Sequence, residues 1–120
     1  MKALLLVAHG SRRAASNTEV LELAATMAGE VADTFAVVEA AFLELAEPDI
    51  PTGIRLCAER GADSVTVVPY FLAAGTHVVK DIPSIIDDLR ADFPALEIKV
   101  ATHIGASEMM PGLIRQCAVQ

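Results

Sequence analysis

The run KALLLVAHGSR, residues 2–12, passes from six consecutive apolar side chains into a histidine, a glycine and a polar stretch. An apolar run this short, closed by glycine, reads as a strand covered on both faces, the state of an inner strand in a parallel sheet. Its end carries His9 to a sheet edge. A second stretch repeats the arrangement: VVPYFLAAGTHVVKDIP, residues 67–83, runs from a β-branched strand through a glycine-bearing loop to His77. Two imidazoles delivered to one edge can bind a metal or exchange protons.

Between and beyond these runs, strand and helix signals alternate. Ser16 and Glu19 have the S-x-x-E form of a capping box. Val20, Leu21, Leu23, Ala24 and Met27 follow at helical spacing, which predicts a helix to about Val31. Residues 35–42 read as a second strand, leading into Leu43-Glu44-Leu45. Asp49 suits the cap of a second helix, with Pro51 in its first turn and a stop near Gly61. Residues 64–70, SVTVVPY, read as the third strand, with Pro69 near its end because proline cannot donate to a ladder. A third helix runs to Asp92 from either His77 or Asp81. Pro83 fits the first turn of the later start and strains a helix from the earlier one. Residues 97–101 form a short fourth strand and residues 107–118 a last helix.

The order β-α-β-α-β-α-β-α with short links predicts an α/β fold: one three-layer domain over residues 1–120, helices on both faces of a four-stranded parallel sheet. Right-handed crossovers favour the strand order 2-1-3-4, a flavodoxin-like arrangement. Ligands bind such sheets beyond the carboxyl ends of the strands at the switch point, here between strands one and three. Those strands lead to His9 and His77. Glu44 follows strand two and His103 follows strand four, so all three histidines of the chain fall on this edge.

Bulk properties narrow the chemistry. The chain has 120 residues, net charge −7 and 53% hydrophobic residues, with no tryptophan and one tyrosine. Its core is therefore aliphatic. No basic stripe marks a nucleic-acid binder. No apolar run reaches the roughly 18 residues of a membrane span, and the polar residues after Ala8 cut short any signal-peptide reading. Cys57 and Cys117 form no CxxC pair, which fits a reduced, cytoplasmic protein.

Two imidazoles and a carboxylate suit a borderline divalent metal such as Co2+, Fe2+, Ni2+ or Zn2+, with coordination positions left open. HExxH, GxSxG, GxGxxG and P-loop patterns are absent, so bound nucleotide and hydrolase chemistry find no motif. Gly10 and Ser11 remain an alternative phosphate cradle at a helix N-terminus. Arg12, Arg13 and Lys80 are either solvated surface or partners for the carboxylates of an anionic ligand. Glu44 is either a surface carboxylate or part of the site. Asp81 is either a helix cap or a further site residue.

At these residues the chain resembles a known family. His9-Gly10-Ser11-Arg12, Phe42-Leu43-Glu44 with Pro48, and Phe71-Leu72 with Gly75, His77 and Asp81-Ile82-Pro83 are similar to the small CbiX/SirB-type sirohydrochlorin chelatases. The likeness runs from the first strand to about Pro94. These class II chelatases insert a divalent metal into a tetrapyrrole without ATP. The resemblance implies that His9 and His77 hold the metal and accept pyrrole protons, with Glu44 as a third catalytic group. It implies Co2+ as the metal, with Fe2+ or Ni2+ as alternatives. Anionic sirohydrochlorin is then the partner, and Ser11, Arg12, Arg13 and Lys80 have its carboxylates to bind. Longer relatives carry two tandem copies of this unit, which implies a homodimer here. A carrier of metal or tetrapyrrole without catalysis is the competing expectation. The chain departs from the family pattern at Thr102-His103-Ile104-Gly105, where His103 is either a third ligand or a substitution at the pocket rim.

Overall fold

A computed structural model describes residues 1–120. The strands are β1 (Lys2–Ala8), β2 (Val37–Phe42), β3 (Ser64–Pro69) and β4 (Glu97–Val100). All pair in parallel, in the order β2-β1-β3-β4. The expected order 2-1-3-4 is therefore the one found. The helices are α1 (Ala14–Glu30), α2 (Ile50–Glu59), α3 (Ile82–Asp92) and α4 (Met110–Ala118).

The alternation of side chains along the strands sorts the core into two layers. On one face Ala3, Leu5 and Val7 of β1, Val65 and Val67 of β3 and Ile98 of β4 meet Ile50, Ile54 and Cys57 of α2 and Ile82, Ile86 and Leu89 of α3. On the other, Leu6, Ala8, Ala40 and Phe42 meet Val20 and Ala24 of α1. Every residue of β1 from Ala3 to Ala8 is buried, as its unbroken apolar run requires. No polar or charged residue is fully buried. No helix is long and apolar enough to cross a membrane.

Three strands are one or two residues shorter than expected: β2 starts at Val37 rather than at residue 35, and β3 and β4 each end one residue earlier. Three helices also begin differently from the expectation. The first helix starts at Ala14, two residues before Ser16, and its cap residue Arg13 makes no side-chain capping bond. Ser16 is therefore not the cap. Instead Ser11 N–H donates to Asn17 Oδ1 (2.9 Å) and Asn17 Nδ2 donates back to the Ser11 carbonyl (2.7 Å). The Ser11 hydroxyl accepts the Arg13 amide. This clasp turns the chain into the helix before the S-x-x-E pattern begins.

The third helix resolves its two candidate starts by using both. A π-turn spans His77–Asp81, and Ile82 N–H donates to the His77 carbonyl five residues back. The wider turn then passes into an α-helix whose first turn holds Pro83, where no amide is needed. The second helix behaves as expected: Asp49 caps it by accepting the Thr52 amide at 2.9 Å. Hydrogen bonding from the Thr52 side chain, and next from its amide, holds the Asp49 carboxyl below its ordinary value. The last helix begins at Met110 rather than near Ser107, after a 3-10 turn at Ile104–Ala106, and buries none of its residues.

Candidate metal centre

The register of the sheet carries the site. β1 lies between β2 and β3, so the chain segments leaving all three emerge side by side at one edge. The Leu43 amide donates to the Ala8 carbonyl and the Glu44 amide to the His9 carbonyl, which extends the β1–β2 ladder past both strand ends. Tyr70 N–H does the same with the Val7 carbonyl on the β3 side. Backbone pairing thus fixes where His9, Glu44 and the loop toward His77 begin.

One ring nitrogen from each of His9 and His77 and one carboxylate oxygen of Glu44 lie within 4.8 Å of one another. The imidazoles meet edge to face, centroids 4.4 Å apart and planes at 84°. His9 Nε2–H donates to Glu44 Oε2 at 3.0 Å. His77 Nδ1–H donates to Asp81 Oδ2 at 2.7 Å. A carboxylate accepts and does not donate, so the ring nitrogen facing it bears the proton. Neutral His77 in this geometry has its lone pair on Nε2. Asp81 thus does not cap the third helix with its side chain; it orients the ring one helical turn before it.

Gly10 lets Glu44 approach. Its φ is +96°, and a Cβ there would lie 1.7 Å from the Glu44 carbonyl oxygen. Only a residue without a side chain fits between these two loops. Phe71 flanks the pair, its ring centroid 6.5 Å from that of His9. A cleft of about 340 Å³ opens beside Glu44 and His77, lined also by Leu43, Asp81, Ser84 and Ile85.

The remaining candidates lie outside this cluster. Ser11 commits its amide and carbonyl to the clasp before α1 and its hydroxyl oxygen to the Arg13 amide, leaving its O–H without a partner. Arg12, Arg13 and Lys80 are exposed, and none pairs with a carboxylate. His103 is half-buried at the start of the 3-10 turn and is not one of the three converging groups. Sequence reasoning left Asp81 ambiguous; the signal for its present role was its spacing, four residues beyond a site histidine on a helical turn.

The comparisons with known proteins agree on one family. The CbiX family profile matches residues 3–120. A sirohydrochlorin cobaltochelatase of Sulfolobus acidocaldarius is 35% identical over 118 residues, which cover 98% of this chain and 90% of that one. A sirohydrochlorin cobaltochelatase of Methanopyrus kandleri is 43% identical over 86 residues, 72% of this chain and 59% of that one. The chloroplastic sirohydrochlorin ferrochelatase of Arabidopsis thaliana is 34% identical over 107 residues, 89% of this chain and 47% of that one. The chain therefore spans about half to three fifths of the length of the latter two. Among solved structures, a cobalamin biosynthesis CbiX protein from Marinobacter aquaeolei superposes with a TM-score of 0.79 at 32% identity, covering 99% of this chain and 95% of that one. The chelatase SirB from Bacillus subtilis subspecies spizizenii, in complex with cobalt, superposes with a TM-score of 0.80 at 34% identity, covering 98% of this chain and 50% of that one.

Proposed function

The chain belongs to the CbiX/SirB sirohydrochlorin chelatase family, and from that membership we propose that it inserts a divalent metal into sirohydrochlorin. The observation that carries the reading is the convergence of His9, Glu44 and His77 within 4.8 Å at the switch point of the sheet. Two imidazoles and one carboxylate form a three-donor set that leaves positions open on the metal. A donor set of that size holds the ion and can also surrender it.

Insertion exchanges one M2+ for two pyrrole protons. The site must therefore release a cation and accept protons in the same event. In our reading Nε2 of His77 faces the metal because its Nδ1 proton is committed to Asp81. His9 donates to Glu44 across 3.0 Å, so this pair is the one suited to passing protons on as the metal leaves. Arg12, Arg13 and Lys80 have free cationic heads to offer substrate carboxylates. The Ser11 hydroxyl accepts the Arg13 amide, and its own O–H remains free to donate to a substrate carboxylate. The cleft of about 340 Å³ beside His77 adjoins a second of about 700 Å³, both lined by Leu43 and Glu44, and in our reading the macrocycle lies along this open edge.

We assign Co2+ as the metal, following the cobaltochelatases among the relatives and the cobalt complex of the structural neighbour. Fe2+ stands second, through the ferrochelatase relative, and Ni2+ suits the same donors. In this reading residues 1–120 act as one chelatase domain, in the cytoplasm.

The test is an anaerobic assay following tetrapyrrole absorbance after Co2+ or Fe2+ addition. Acceleration over the spontaneous reaction is expected. Metal binding by calorimetry with no acceleration would replace the enzyme by a carrier.

A further inference from the structure

We propose that Gly105, on the segment leaving β4, is a positioning residue of the metal centre: it clamps the Phe71–Leu72 peptide and so sets how residues 71–76 deliver His77 beside His9. The inference rests on the reading of His9, Glu44 and His77 as a metal site.

The chain segments leaving β3 and β4 separate at the sheet edge and then meet again. The Ala101 amide donates to the Val67 carbonyl at 2.8 Å, which extends the β3–β4 ladder one residue past β4. Four residues further along both segments, the Gly105 amide donates to the Phe71 carbonyl at 2.9 Å. Between these two bonds the exit from β4 passes through Thr102 and His103 into the 3-10 turn at Ile104–Ala106. Local bonds close that turn, from the Ala106 amide to the His103 carbonyl and from the Ser107 amide to the Ile104 carbonyl. The Gly105 amide takes no part in them and reaches across to β3's exit instead.

The approach is closer than any side chain permits. A Cβ on Gly105 would lie 1.6 Å from the Leu72 carbonyl oxygen, 2.4 Å from its carbonyl carbon and 2.8 Å from its Cα. All three are backbone atoms, so no change of rotamer relieves the clash, and main chain must move. Whichever segment moves, the bond to Phe71 is lost.

That bond holds the part of the chain that carries a ligand. Leu72 is 73% exposed, and Ala73, Ala74, Gly75 and Thr76 are exposed after it. The Gly75 carbonyl accepts only from Val78 and Val79, just ahead of it. The Gly105 amide therefore supplies the one backbone hydrogen bond that ties residues 71–76 to a distant element. At one end of this segment the Phe71 ring flanks His9, centroids 6.5 Å apart. At the other end begins the π-turn with His77. On the far side of the site Gly10 receives the Glu44 carbonyl in the same manner. The segments after β2 and β3, which bear Glu44 and His77, are thus each seated by a carbonyl lodged where a glycine has no side chain.

Such a coupling is reciprocal. A clamp that favours the metal-ready placement of His77 must itself be strengthened when His9 and His77 hold a metal. A clamp that only braces the fold has no such link to the ion.

The test is Co2+ binding to the full chain by calorimetry, with circular dichroism to confirm folding. Gly105→Ala is expected to lower Co2+ affinity about 10-fold or more, the scale of losing a group that orients a ligand. Gly112→Ala, on α4, adds a Cβ with nothing within 4 Å and is expected to bind as wild type does. Hydrogen exchange of the wild type, read by mass spectrometry at single amides, needs no variant and decides the matter even where Gly105→Ala does not fold. Saturating Co2+ is expected to slow exchange of the Gly105 amide by about the same factor, with little change at Ala101. A folded Gly105→Ala with wild-type affinity overturns the proposal, and so does a Gly105 amide whose exchange is indifferent to Co2+. A wild type that binds no Co2+ overturns the metal-site reading beneath it and the proposal with it, so the two failures are told apart by the wild type alone.

Discussion

The His9 imidazole stands edge-on to that of His77, with centroids 4.4 Å apart. Adjacent parallel strands place their carboxyl ends side by side, so residues 68 positions apart in sequence become neighbours through β1–β3 pairing. Both rings remain well exposed, at 42% and 39% of their side-chain surface. Neither is therefore a core residue whose loss would unfold the protein. His9→Ala and His77→Ala are expected to leave the melting temperature within a few degrees of wild type. Each should lower the rate of Co2+ insertion by about 10²-fold or more, the scale of losing a proton-transfer group. Full activity in either folded variant would remove that histidine from the mechanism.

Glu44 differs from the histidines in being both donor partner and neighbour. Its carboxylate receives the His9 proton at 3.0 Å. Glu44→Gln keeps the shape and an acceptor oxygen but removes the charge and the proton acceptor. The expected outcome is a smaller loss of Co2+ affinity, read by calorimetry, than of insertion rate. Equal losses in both would make Glu44 a plain ligand.

Asp81 touches His77 and no other site group, so its effect passes through the ring. Nitrogen-15 NMR of the imidazoles should show His77 with its proton on Nδ1. Asp81→Asn retains an acceptor oxygen and should keep this tautomer, while Asp81→Ala should let it redistribute. Co2+ affinity is expected to fall about 10- to 100-fold in the alanine variant, the usual scale for losing such a partner, and to recover partly in the asparagine variant. An unchanged tautomer in Asp81→Ala would end this assignment.

The sheet was legible chiefly through β1 and β3, an apolar run closed by Gly10 and a β-branched run closed by Pro69; β1 in particular is buried on both sides as its composition demands. His9, Glu44 and His77 were legible through strand order, which converts positions in sequence to positions on one edge. What sequence could not resolve depended on local competition. Ser16 has the pattern of a cap, but the Ser11–Asn17 clasp acts earlier in the chain. His77 and Asp81 looked like rival helix starts because a π-turn satisfies both, and periodicity at 3.6 residues does not anticipate an i to i−5 bond. Sequence puts the start of the last helix at about Ser107, but a 3-10 turn at Ile104–Ala106 precedes it, so α4 starts at Met110 and buries none of its residues.

Cys57 makes a prediction away from the site. It lies on α2 and is fully buried against the sheet. Burial, and next the Glu39 carboxylate, push its thiol from 9.0 up to about 11. The folded state therefore holds the thiol proton more tightly than the unfolded state does. The resulting stability is complete below pH 9 and is lost as pH rises toward 11. At 1.36 kcal/mol per pKa unit the loss is about 3 kcal/mol at most. Denaturant unfolding of the wild type and Cys57→Ala across this range should show the steeper decline only in the wild type. Parallel curves would refute the linkage. Thiol reagents at neutral pH should label exposed Cys117 and spare Cys57.

Gly10 links backbone geometry to the site most directly. Its φ of +96° is a conformation that side chains resist, and its missing Cβ leaves room for the Glu44 carbonyl at 1.7 Å from where that atom would be. Gly10→Ala must therefore move one of two loops. The β1 side is anchored along its length by pairing with both β2 and β3, whereas the segment after β2 is held to the end of β1 only by the Leu43 and Glu44 amides and the His9–Glu44 side-chain bond. The Glu44 loop should give way. The expected variant folds with a stability loss of about 1–3 kcal/mol, the scale of a strained backbone position. Its Co2+ affinity should fall at least as far as in Glu44→Gln, because the carboxylate is displaced along with its loop. Combining Gly10→Ala with Glu44→Gln should then add little to the loss of affinity. Additive losses would mean that Gly10 shapes the site through His9 instead.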